Sequence, residues 1–133
     1  RLLNNVSGSI QAFIKDITAK GFGDKVAVMS FSEFGRRVGQ NNSGGTDHGT
    51  AAPMFVAGNK VKGGLFGRYP SMTDLDAGDL KYTTDFRAVY ATLLDKWLNA
   101  DSDTVLSAHF GHLPLFGAVD PSRRNNIGPV ATH

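Results

Sequence analysis

Two amphipathic helical segments with short apolar runs between them predict an α/β fold, in which helices layer on a sheet. The first segment sets Ile10, Phe13, Ile14 and Ile17 at i, i+3, i+4 and i+7, one apolar stripe of a helix. The second repeats the pattern with Phe86, Val89, Tyr90, Leu93, Leu94, Trp97 and Leu98. Residues 25–31 (K-V-A-V-M-S-F) and 53–58 (P-M-F-V-A-G) are short and apolar, as strands are.

Taken in order, the first helix is expected over residues 7–20, capped by Ser7 or Ser9 and stopped by Gly21 and Gly23. The strand at 25–31 follows a short turn. Residues 35–52 are expected to form a long loop, and loops of that length in a compact domain are usually functional or disordered. The run at 53–58 has a continuous apolar face, which fits a strand buried on both sides. Residues 58–70 are dense in glycine and read as turns or a hairpin, and residues 71–83 as polar and irregular. The second helix is expected over 84–99, with Thr83 or Thr84 as N-cap and Asp85 in the first turn, where the helix dipole favours it. Thr104-Val105-Leu106 reads as a last short strand, and residues 117–133, with Pro121 and Pro129, as an irregular surface tail. Three strands are few for a doubly wound sheet, and the first residue is Arg1 rather than Met. The expectation is that residues 1–133 are a single domain or a fragment of a larger one, and part of a longer protein.

Composition narrows the function classes. The 133 residues are 41% hydrophobic, enough for a globular core. A net charge of +2 with scattered Lys and Arg gives no phosphate-tracking stripe, so nucleic acid is not an expected partner. The absence of Cys excludes disulfides and thiolate metal sites and leaves the compartment open. No apolar run approaches the roughly 18 residues that span a bilayer, and no signal peptide is visible.

The chemistry concentrates in residues 30–50, S-F-S-E-F-G-R-R-V-G-Q-N-N-S-G-G-T-D-H-G-T, which follow the first strand. In open α/β sheets ligands bind outside the carboxyl ends of strands. Asp47 and His48 are natural donors to Zn or Mn, Glu33 can join them from the strand end, and Arg36 suits bidentate recognition of phosphate, sulfate or carboxylate. The plainer alternative is that Asp47 caps a turn, His48 is solvated, and Glu33 pairs with Arg36 or Arg37. Elsewhere, His109 and His112 read as solvated loop histidines, and the glycines after Gly58 as turn chemistry without the Lys-Ser/Thr of a phosphate loop. The Tyr90 and Trp97 stripe reads as core, and Arg123-Arg124 as a solvated tail.

Three stretches carry a family resemblance: V-A-V-M-S-F-S-E-F-G-R-R, then N-N-S-G-G-T-D-H-G-T-A-A-P-M-F-V-A-G-N-K-V-K-G-G-L-F-G, then T-D-F-R-A-V-Y-A-T-L-L-D-K-W-L. Together they resemble the C-terminal part of the DUF1501 family, bacterial proteins of largely unassigned function related to the alkaline phosphatase and sulfatase superfamily. The resemblance implies the C-terminal part of an alkaline-phosphatase-like three-layer α/β/α sandwich. It also implies a metal-dependent hydrolase-like activity on phosphate or sulfate esters, small or polymeric, and a Zn or Mn cofactor. Family members usually carry an export signal and an upstream W-D-T-H motif. The resemblance thereby implies a periplasmic or exported location, and, since neither feature is in this sequence, an N-terminal portion of the parent chain as partner.

In the superfamily plan a strand ends in an Asp-His-Gly-like ligand motif, and Ser32-Glu33-Phe34-Gly35 occupies the matching place, with Phe34 where a His would be. A His-Thr-type motif precedes an apolar strand, and His48-Gly49-Thr50 is similar to it. The resemblance therefore implies His48, Asp47 and Glu33 at a metal that polarises a phosphoryl or sulfuryl oxygen. Arg36 is then the catalytic residue that neutralises charge on the equatorial oxygens. The nucleophile is expected from an earlier strand, since no G-x-S-x-G occurs. Phe34 departs from a complete two-metal centre and is compatible with a single-metal site or one that only binds. The alternative is a non-catalytic binding or structural domain that keeps the scaffold.

Overall fold

Helix α1 spans Leu2–Ala19 in the computed structural model, which describes residues 2–117. It begins before the expected start because Ser7 and Ser9 do not cap it. Their hydroxyls donate backward to the carbonyls of Asn4 (3.2 Å) and Asn5 (2.9 Å), the mid-helix habit of serine. The stop is as the glycines predict. Gly21 N–H donates to Thr18 O (3.0 Å) and Phe22 N–H to Ile17 O (2.8 Å), the paired bonds of a Schellman motif. Ile10, Ile14 and Ile17 are half-buried, whereas Leu2, Leu3, Val6 and Phe13 of the same helix are exposed.

After a 3-10 turn at Gly23–Lys25 the expected first strand shortens to β1, Val28–Met29. It pairs antiparallel with β4, Val56–Ala57, setting Val28 opposite Ala57 and Met29 opposite Val56. Ser30 continues the pairing by donating its N–H to Phe55 O and accepting from Phe55 N–H at its hydroxyl, both at 2.9 Å. These strands are half-buried, and Phe31 and Phe55 are exposed, so the run at 53–58 is not covered on both sides in the described residues.

The expected loop at 35–52 is instead a β-hairpin. Strand β2, Gly35–Gln40, pairs antiparallel with β3, Thr46–Gly49, and the register slips between Arg36 and Gln40. Asn41 organises the turn by accepting at Oδ1 from Ser43 N–H (3.0 Å) and Gly45 N–H (3.1 Å), the local bonding that suits Asn to turns. Glycine is required where the strands crowd. A Cβ on Gly35 would lie 1.8 Å from the carbonyl oxygen of Ala51.

Residues 71–83, expected to be irregular, contain a second hairpin, β5 (Leu75–Asp76) and β6 (Asp79–Leu80). Its two turn residues, Ala77 and Gly78, both have positive φ (47° and 92°), the type I′ pattern that matches strand twist.

Helix α2 spans Phe86–Lys96 and helix α3 spans Ser102–Leu106. Asp85, not Thr83 or Thr84, is the N-cap of α2; its carboxylate accepts from Arg87 N–H at 2.9 Å, a bond worth about 1 kcal/mol. Residues 104–106, expected as a strand, lie in α3 because Asp101 caps them, accepting from Asp103 N–H and Thr104 N–H. The three-residue run Thr104-Val105-Leu106 is too short to resist a strong cap.

Among the described residues Val89, Ala91 and Leu115 are the buried apolar side chains, and full burial of a leucine stabilises by about 1.5–3 kcal/mol. Trp97 stacks on Phe116 with ring centroids 5.4 Å apart and Tyr90 meets Phe86 edge-on; the middle of the helical stripe is buried or half-buried, while Phe86 and Leu98 at its ends are exposed. The expected tail, residues 117–133, lies outside the described residues except for Gly117.

The described chain is thus mixed α/β, with three two-stranded antiparallel sheets. It divides into two compact units. One runs through α1 to Val61 and takes in Arg68–Thr83; the other takes Lys62–Gly67 and the chain from Thr84 onward. No helix among the described residues is long and apolar enough to cross a membrane.

Candidate functional site

The hairpin β2–β3 holds three of the four residues marked in the sequence. Arg36 and His48 are register partners, directly opposite each other across the ladder. Phe34, immediately before β2, joins them through its ring. The Phe34 ring stacks on the His48 imidazole with centroids 3.6 Å apart and planes 15° from parallel, and the Arg36 guanidinium carbon lies 5.2 Å from the Phe34 centroid. Arg36 donates one bond, from Nη1 to Thr46 O at 2.8 Å, which leaves the rest of its fork toward solvent. Both Arg36 and His48 are exposed, and neither is ion-paired among the described residues.

Asp47 takes the other face, because adjacent strand residues alternate. Its carboxylate accepts from Asn41 Nδ2 at 3.0 Å, so it helps close the turn, as the plainer sequence reading has it. Glu33 is exposed and makes no hydrogen bond or ion pair among the described residues, and the expected pairing with Arg36 or Arg37 is not formed. The structure therefore brings Arg36 to His48 but brings neither Asp47 nor Glu33 to them. Among the described residues no group of three or more His, Cys, Asp or Glu could hold a metal ion. The donors in hand do not fit a metal centre built by these residues alone.

Two features of this region escaped the sequence reading. Arg37 donates from Nε and Nη2 to the two carboxylate oxygens of Asp79, at 3.1 and 3.5 Å. The hydrogen bonds to Asp79, then its charge, hold the Arg37 guanidinium above its ordinary value. The only available signal was the doublet Arg36-Arg37, which in a strand must split between two faces. In sequence Phe34 stands in a ligand's place; its role as the platform under His48 is visible only in the fold.

The second unit has its own polar cluster. Asp95 accepts from Ser102 N–H (2.9 Å), from Ser102 Oγ (2.8 Å) and from His112 Nε2 (2.5 Å). This is no catalytic triad, because the serine donates to the carboxylate rather than to the imidazole and is only 2% exposed. His109 lies 3.1 Å from the Asp103 carboxylate. The two loop histidines are thus carboxylate-paired rather than merely solvated.

A family model described as a protein of unknown function, DUF1501, matches residues 1–123. No curated protein and no solved structure matches the chain.

Proposed function

The chain belongs to the DUF1501 family, and on that footing we propose a function for the Phe34/Arg36/His48 face. The face recognises the oxyanion of a phosphate or sulfate ester. The parent protein is hydrolase-like, of the alkaline phosphatase and sulfatase superfamily, with that superfamily's three-layer α/β/α sandwich. Its substrates are small or polymeric esters, and it acts in the periplasm or outside the cell.

One observation carries the reading. Arg36 and His48 stand opposite each other on an exposed face, with no carboxylate bonded to either among the described residues. A guanidinium beside an imidazole offers convergent N–H donors, the arrangement that binds tetrahedral oxyanions. Zn or Mn belongs to the same proposal, with His48 as the donor of this chain. Asp47 and Glu33 do not converge with His48, so the remaining ligands and the nucleophile are assigned to the N-terminal portion of the parent chain.

A second reading, a binding domain without catalysis, is favoured by Phe34. Its ring lies against His48 in the position where the superfamily plan has a ligand. Elemental analysis and phosphate titration of wild type, His48→Ala and Arg36→Ala separate the readings. Stoichiometric Zn or Mn that is lost with His48 supports the hydrolase reading. Phosphate binding that needs Arg36, without metal in any sample, supports the binding domain. Phosphate binding unaffected by either substitution overturns both.

A further inference from the structure

We propose that Arg37 and Asp79 are a positioning pair, fixing from behind the hairpin where Arg36 and His48 stand. The inference rests on the oxyanion reading of the opposite face.

Strand alternation separates the two adjacent arginines. Arg36 and Arg37 are adjacent, yet Arg36 is exposed while Arg37 is half-buried and held by both oxygens of Asp79. A bidentate guanidinium–carboxylate pair fixes orientation as well as distance. Asp79 opens β6, so the pair fastens the hairpin β2–β3 to the hairpin β5–β6. A second fastening lies close by, where Thr50 Oγ1 donates to Leu80 O at 2.8 Å.

Gly49 sits between the two fastenings and next to His48. A Cβ there would lie 3.0 Å from Asp79 Oδ1 and 2.9 Å from the carbonyl carbon of Arg36. Glycine thus lets the Asp79 carboxylate approach the backbone of β3 beside the imidazole it helps to place. Asp47, on the Arg37 side of β3, adds its negative charge to the field around Arg37.

The ladder alone is a poor positioning device. Gly35↔Gly49 and Arg36↔His48 are in register, but the pairing slips between Arg36 and Gln40. An irregular, glycine-rich strand pair specifies its register weakly. Register sets Arg36 opposite His48, and what grips the hairpin from its other face holds that register against slippage.

The test is titration of inorganic phosphate into the purified protein. The variants are Arg36→Ala, Arg37→Ala, Asp79→Asn and the exchanged pair Arg37→Asp/Asp79→Arg. Circular dichroism at the titration temperature establishes that each is folded; Asp79→Asn keeps the size of the side chain and one acceptor. The expected result is an affinity loss of about tenfold for Arg37→Ala and Asp79→Asn, since misplacement of a binding group by about 1 Å has effects of that order or larger. The exchanged pair should recover part of the loss, which a role confined to stability would not produce. Unchanged phosphate affinity in folded Arg37→Ala and Asp79→Asn, with binding abolished in Arg36→Ala, overturns the positioning pair and leaves the oxyanion reading intact. Undiminished binding in Arg36→Ala overturns the oxyanion reading itself, and the positioning inference with it.

Discussion

Replacing Asp95 by alanine removes the acceptor for three hydrogen bonds at once, and the cost follows from which donors are stranded. Ser102 is 2% exposed, so its N–H and its hydroxyl lose their partner where water has little access. Each unsatisfied buried donor costs about 1–3 kcal/mol. His112 is more open and regains water at small cost. Partial water entry into the vacated space favours the lower end of the range, so Asp95→Ala should destabilise by about 2–4 kcal/mol, a large part of a typical domain's 5–15 kcal/mol.

Urea unfolding followed by Trp97 fluorescence reads this directly. Trp97 is the only tryptophan, ends α2 close to Asp95, and stacks on Phe116 in the same unit. With a urea slope of about 1–2 kcal/mol/M, the midpoint should fall by about 1–2 M or more.

The same residue sets an acid limb. Burial pushes the Asp95 carboxyl up, but bonds from the Ser102 N–H and hydroxyl, then from His112 and its charge, outweigh it and hold the group below the usual carboxylate range. A depressed folded value means the stabilisation is whole above the unfolded value of about 3.9 and is lost as pH falls through the folded value. Asp95→Asn should flatten that part of the stability profile. The reasoning is refuted if Asp95→Ala shifts the midpoint no more than Asp16→Ala, whose carboxylate makes only an exposed pair with Lys20.

Two backbone predictions accompany it. Gly35→Ala should destabilise by about 1–3 kcal/mol or more, because the added methyl overlaps the Ala51 carbonyl and the strand must move; thermal melts and a loss of phosphate affinity would register it, and a wild-type melt would mean the hairpin is looser than described. Ala77→Asn should stabilise by up to about 1 kcal/mol, since Ala77 sits at φ 47° in a type I′ turn where Asn is at ease. An unchanged or lowered melting temperature would show that the turn is not strained.

Much of the helical content was legible because it needs only local information. A stripe at i, i+3, i+4 and i+7 is visible without knowing what covers it, and so were the glycines that close α1. The caps were harder, since Ser7 and Ser9 suit both a cap and a backward bond inside the helix. Asp101, capping residues 102–106, outweighs the short run Thr104-Val105-Leu106 that reads as a strand. The hairpin β2–β3 was hidden by its own glycines. Gly35 and Gly49 look like loop residues in sequence and are crowding residues in the fold, a distinction that exists only once Ala51 and Asp79 are in place.

The candidate site divides the same way. Family membership, the two amphipathic helices, the lack of cysteine, and the concentration of Glu33, Arg36, Asp47 and His48 in one stretch are all readable from the residues alone. Tertiary structure decided which of these meet. Two residues adjacent in sequence, Asp47 and His48, are sent to opposite faces by strand alternation, while Arg36 and His48, twelve positions apart, are set side by side by cross-strand register. Composition records which groups are present, but the alternation of a strand and the register of its pairing determine which can act on one ligand.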